Sequence, residues 1–325
     1  MMAIAKRGSS SLLVIAVLLS MFGNSGTANQ WTTATLSQAR FMIASASLGN
    51  KAFFAGGAPS NSFGTVRVDI YNDAQDLWTT ANLSQPRHAV AGASAGDKAL
   101  FAGGLGYVIG TQTGLVDIYD SPKDSWATAG LSYARWGIAS ASTGFPNNKA
   151  FFGGGYGIEP SSVVDIYDAD SNKWTTANLS LPRGDLAATA SAGGDLVFFA
   201  GGSGPLGKFS DVVDIYNVQS NTWSTSQLSE PRSSLAAVAT GTRVYFAGGY
   251  NNSVVNPKHR VSNTVDIYNL SNNTWSIANL SEPRAEISAA AAGGYVFFAG
   301  ELNRNTCSCM TTHLHRRLGS SRTVL

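Results

Sequence analysis

The chain has 325 residues, 44% hydrophobic and 13% charged, with a formal charge of +2. That balance excludes a disordered segment and supplies enough apolar material for a substantial core. Lys6 and Arg7 carry two of the positive charges and residues 301–325 a net three, so residues 29–300 carry −3 and no basic face points to a nucleic-acid partner.

Residues 1–28 read as a secretory signal peptide: Lys6 and Arg7, an apolar run from Leu12 to Leu19, and the small residues Gly26-Thr27-Ala28, with cleavage expected after Ala28. The run is shorter than the roughly 20 residues a transmembrane helix needs, so a secreted chain without a membrane span is expected. Its only cysteines are Cys307 and Cys309, so the core must hold without disulfides, as its size permits.

A single unit then repeats. Arg40, Arg87, Arg135, Arg183, Arg232 and Arg284 each open a copy. After each Arg comes a run of small residues such as Ile43-Ala-Ser-Ala-Ser, which suits a strand crowded against its neighbours at a central axis. An apolar strand such as Lys51-Ala-Phe-Phe-Ala follows, and a glycine pair ends it, first at Gly56-Gly57. Val-Asp-Ile-Tyr recurs at 68–71, 116–119, 164–167, 213–216 and 265–268, its period of two sending Val and Ile to one face and Asp and Tyr to the other. A polar turn leads to a strand marked by Trp78, Trp126, Trp174, Trp223 or Trp275, and Leu-Ser-x-Pro-Arg closes most copies.

Across residues 31–300 this pattern resembles the kelch repeat: an Arg-led first strand, Gly-Gly after the second, an aromatic in the third and a Trp in the fourth. The resemblance implies an all-β fold, a six-bladed kelch-type β-propeller of four-stranded blades around a channel. Residues 29–300 would form the propeller, with residues 31–36 as the outer strand of the last blade. The sixth blade is incomplete, because Gly300-Glu301 breaks the glycine pair and no Val-Asp-Ile-Tyr or Trp follows. Residues 301–325 are an irregular C-terminal tail, which either supplies a third strand or marks a truncated or misjoined propeller; the second reading is preferred.

Residues shared by all copies are most economically structural, so function is sought where the copies differ. The two residues after each Arg are expected at the channel mouth, which makes Phe41, His88, Trp136, Asp185 and Glu286 candidate ligand-binding residues. Rings and carboxylates around one opening would suit a sugar or another polar ligand. If the protein were instead a secreted carbohydrate-active enzyme, Asp185 and Glu286 would be the carboxylate pair, with His88 beside them. Lys258, His259 and Arg260, in the long segment 250–264, are the candidate partner loop. Kelch propellers most often present such loops to proteins, so a protein or glycan ligand is expected. No cofactor or metal is expected: four histidines, and cysteines outside the repeats, do not fit the copper site of galactose oxidase-like propellers. Cys307, Cys309, His313 and His315 are a minor alternative for zinc or copper. Asn82, Asn178, Asn251, Asn269, Asn272 and Asn279 are N-glycosylation sequons.

Overall fold

The computed structural model describes residues 2–4, 14–18, 32–60, 62–106, 111–251, 261–292, 294–300 and 313–315. Each full copy of the repeat is one antiparallel sheet whose inner, second, third and outer strands follow in chain order. Blade one is Ala44–Leu48, Lys51–Ala55, Thr65–Asn72 and Leu77–His88. Blade two is Ala91–Ala95, Lys98–Ala102, Leu115–Asp120 and Ser125–Gly130. Blade three is Ala139–Ser142, Lys149–Gly153, Val163–Asp168 and Lys173–Asn178. Blade four is Ala187–Ala190, Leu196–Ala200, Val212–Asn217 and Thr222–Gln227. Blade five is Ala236–Thr240, Arg243–Ala247, Thr264–Asn269 and Thr274–Asn279.

The inner strands are small because they touch one another. A methyl group on Gly92 would stand 2.4 Å from the Ser45 carbonyl oxygen, and Ser140 Oγ donates to the Gly92 carbonyl at 2.7 Å. Farther out the sheets diverge, and the gap fills with large side chains. Val68, Ile70 and Phe53 of blade one pack against Phe101, Tyr119 and Trp126 of blade two. The same arrangement recurs between blades two and three, three and four, and four and five. The period of two therefore serves both faces of each blade, because Val and Ile meet the Tyr and Trp of the next. Each buried Phe contributes about 1.5–3 kcal/mol.

Tyrosine has a second task at the outer turn. The Tyr71, Tyr119, Tyr167, Tyr216 and Tyr268 hydroxyls donate to Asp76, Asp124, Asn172, Asn221 and Asn273 at 2.7–2.9 Å. Each acceptor has φ between 46° and 57°, a left-handed conformation that Asn and Asp tolerate best among side chains bearing a Cβ.

The sixth copy contributes an inner strand, Ser288–Ala292, and a second strand, Tyr295–Ala299. Phe298 and Val296 pack onto Val265 and Ile267 of blade five. His313–His315 pairs antiparallel with Tyr295–Ala299 in the third-strand position. Thr32–Thr35, expected as the outer strand of this copy, pairs with Val14–Leu18, which in turn pairs with Met2–Ile4. Among the described residues, no helix is long and apolar enough to cross a membrane.

Candidate functional site

The repeated Arg and Asp form one buried knot in each of blades one to five. Asp69, Asp117, Asp165, Asp214 and Asp266 pair with Arg40, Arg87, Arg135, Arg183 and Arg232, every partner almost fully buried. The other carboxylate oxygen accepts the backbone N–H of Ser37, Ser84, Ser132, Ser180 or Ser229 at 2.9–3.0 Å. Those serines belong to the Leu-Ser link that enters the blade, so one carboxylate fastens link, Arg and third strand together. Burial pushes each guanidinium below its ordinary value, and the facing Asp opposes that shift. Guanidinium N–H groups also reach backbone carbonyls, as in Arg183 Nη1 to Gly201 and Val212 at 2.7 Å each.

The glycine pairs join neighbouring blades. Gly202 donates its N–H to the Arg232 carbonyl of the next copy at 2.8 Å, while a Cβ on Gly201 would stand 2.5 Å from that same oxygen. Both glycines have positive φ, 67° and 100°, so the pair is a cradle that no other residue fits.

Beyond the knot, the backbone decides what reaches the mouth. The residue directly after Arg forms an extended bridge to the loop after the glycine pair: Phe41 with Ala58, Trp136 with Tyr156, Gly184 with Ser203, and His88 with Leu105. The next residue turns left-handed in all six copies: Met42, Ala89, Gly137, Asp185, Ser234 and Glu286 have φ of 50–61°. Backbone hydrogen bonds connect successive members, from Ala89 to Met42, Asp185 to Gly137, Ser234 to Asp185 and Glu286 to Ser234, at 2.9–3.2 Å. These six residues line a central cavity of about 270 Å³ whose wall is completed by Ile43, Val90, Ile138, Leu186, Leu235 and Ile287.

Of the predicted mouth residues, Asp185 and Glu286 therefore line the cavity, and Ser234 of the intervening blade joins them. Phe41, His88 and Trp136 do not line it, because their backbone is spent on the bridge to the neighbouring loop. In place of the expected ring of aromatics and acids stands a collar of aliphatic side chains and the serines Ser45, Ser234 and Ser288, with Asp185 and Glu286 on one side. Trp136 instead packs against Tyr156, ring centroids 5.0 Å apart. Tyr156 lies over Gly184, where a Cβ would stand 2.3 Å from the ring, and donates to the Ser203 carbonyl at 3.3 Å. Burial, reinforced by Asp185, pushes its hydroxyl up to about 12. Sequence reasoning missed Tyr156. The available signal was the aromatic directly after Gly154-Gly155, facing glycine at 184.

The loops after the glycine pairs and the Pro-Arg links share this face, as the bridges require. It exposes Phe63, Tyr133, Ile158, Leu181 and Leu206, with Ile158 at 90% and Leu206 at 106%. On the opposite face Phe145 is exposed on the turn between Ser142 and Lys149, at a separate cleft. Lys258, His259 and Arg260 lie outside the described residues, as do Cys307 and Cys309. Tyr250–Asn251, at the start of that loop, pairs with Arg232–Ser233. Asn82, Asn178, Asn272 and Asn279 are exposed, and Asn251 and Asn269 are half-buried.

Comparison with known proteins agrees with this geometry. Residues 231–279, which hold Arg232, Gly248-Gly249, Val265 to Tyr268 and Trp275, match the Kelch motif. The solved structure titled "Structure of YjhT" superposes with a TM-score of 0.63 at 16% identity, over 85% of this chain and 97% of that one. The chain folds as a β-propeller and carries a Kelch motif at residues 231–279. The propeller matches no curated protein. At that identity the YjhT likeness speaks for the fold alone, and the site of the propeller rests on its own residues.

Proposed function

We propose that this propeller is a secreted binding scaffold that takes a protein partner on the face formed by the glycine-pair loops and the Pro-Arg links. The observation that carries the reading is the exposure there of Phe63, Tyr133, Ile158, Leu181 and Leu206. Isolated apolar residues at a surface need no explanation, but five on one face of a repeat, each at a position whose residue differs between copies, fit a partner-selected surface. Kelch propellers generally bind proteins through such loops. Export would be directed by residues 1–28, and exposed Asn82, Asn178 and Asn279, at equivalent repeat positions in the outer strands of blades one, three and five, would carry glycans at the rim. The decisive experiment isolates partners from the extracellular medium and measures their affinity for the unaltered chain and for an Ile158→Asp, Leu206→Asp double variant. A partner that binds both equally sinks the reading.

A second reading rests on Asp185 and Glu286 lining one cavity. It takes a small polar ligand such as a sugar into the mouth, either held there or hydrolysed between the carboxylates. Binding survives Asp185→Asn with altered affinity and no turnover; hydrolysis gives turnover that Asp185→Asn or Glu286→Gln abolishes.

A further inference from the structure

The turn between the inner and second strands is two residues long in blades one and two, Gly49-Asn50 and Gly96-Asp97, and six residues long in blade three, 143–148. The longer turn is braced on both sides. Asn148 donates its backbone N–H to the Gly144 carbonyl at 2.8 Å. Asn147 Nδ2 donates to the Gly194 carbonyl of blade four at 3.0 Å, and Asn147 Oδ1 accepts from Gln219 Nε2 at 3.0 Å. Phe145 stands on this turn with 89% of its surface exposed, so its ring is held out to solvent by an anchored backbone.

Beside the ring a cleft of about 530 Å³ opens between blades one, two and three, within the roughly 300–1,000 Å³ of small-molecule sites. Phe145 lines it together with Ser47, Ser94, Asp97, Asn148 and Asp170. Asn148 Nδ2 donates to Asp170 Oδ1 at 2.9 Å, which orients both side chains. Gly96 lets the turns of blades two and three close on each other, since a Cβ there would stand 3.1 Å from the Ala169 methyl. Lys98 also lines the cleft, but its ammonium is paired with Asp120 at 3.5 Å, so Asp97 and Asp170 set the sign of the charge.

We propose that this cleft binds a neutral pyranose of a glycan, stacked on Phe145 and held through its hydroxyls by Asp97, Asn148 and Asp170. The negative face of the aromatic ring meets the C–H-bearing face of the sugar, and neighbouring hydroxyls donate in pairs to a carboxylate, the stronger kind of hydrogen bond. A single ring, rather than a cage of several, favours a sugar over a quaternary ammonium. Like charge turns away acidic sugars. The cleft lies on the face opposite the central cavity, so it is separate both from the loop face and from the mouth.

The test is calorimetric titration of the full chain with cellotetraose, mannotetraose and chitotetraose, and with tetragalacturonate as the acidic counterpart. At least one neutral tetrasaccharide is expected to bind, and tetragalacturonate at least ten-fold more weakly. Phe145→Ala and Asp97→Asn are each expected to lower the affinity at least ten-fold with Tm unchanged, because both side chains are exposed. Absence of binding by all three neutral sugars, equal binding by Phe145→Ala, or tighter binding of tetragalacturonate overturns the proposal. Binding that is lost in Asp185→Asn and kept in Phe145→Ala belongs to the mouth and overturns it as well.

Discussion

Ser180 donates its backbone N–H to Asp214 Oδ1 at 2.9 Å, while the other oxygen of that carboxylate holds the buried guanidinium of Arg183. One side chain of the third strand thus satisfies a chain link and a charge that would otherwise be stranded in the interior. The knot is a stability device in each blade rather than a reactive group, and that separates its mutational behaviour from that of the cavity carboxylates.

Replacing Asp214 by Ala leaves Arg183 charged and unpaired in the blade, so the expected loss is about 3–5 kcal/mol of unfolding free energy. Asp185→Asn keeps the shape and the tolerance for positive φ, and is expected to change stability by less than about 1 kcal/mol. Urea unfolding of the two variants checks the contrast; equal losses would mean that Asp185 also belongs to the framework.

Glycine substitutions separate steric from conformational cost. Gly202→Ala would put a Cβ 2.7 Å from the Gly184 carbonyl at φ 100°, and is expected to cost more than about 3 kcal/mol, since backbone strain alone runs to about 1–3 kcal/mol. Gly207→Ala, at φ 70° with nothing within 4 Å, keeps only the left-handed penalty of about 1–2 kcal/mol. Thermal melts of both variants measure the difference.

Five tyrosine hydroxyls, Tyr71, Tyr156, Tyr167, Tyr216 and Tyr268, are raised above their ordinary value. The hydrogen bond to Asp76 pushes the Tyr71 hydroxyl up to about 12, and burial does the same for Tyr156. Because the folded value lies above the ordinary one of about 10, the stability linked to these groups is full below pH 10 and is lost as pH rises through 12. Absorbance at 295 nm is expected to show a phenolate fraction that ionises only near pH 12, and Asp76→Asn is expected to return Tyr71 toward 10.

Ile158→Asp with Leu206→Asp is expected to leave stability within about 0.5 kcal/mol per substitution, because both side chains are exposed. Partner affinity is expected to fall at least ten-fold. Phe145→Asp, on the opposite face, is the control and is expected to leave affinity unchanged, as surface plasmon resonance on immobilised propeller would show.

The amino-acid pattern by itself determined the four-strand unit, the five complete copies and the structural role of Arg and Asp. Each depends on local chemistry repeated in one chain: period-two alternation, glycine pairs, and a charge that must find its opposite when buried. The departure after Gly300 was equally plain in the sequence, but only the register showed that His313 stands where the five aspartates do. The mouth also needed the tertiary structure. Phe41 and Met42 differ by one position, and which of them reaches the cavity follows from the bridge of Phe41 to Ala58 and the left-handed turn at Met42, a cross-loop hydrogen bond that no sequence spacing encodes. Gly137 and Asp185 carried a partial signal, being residue types that accept positive φ. Met42, Ala89 and Glu286 carried none, because their conformation is imposed by the neighbouring blades.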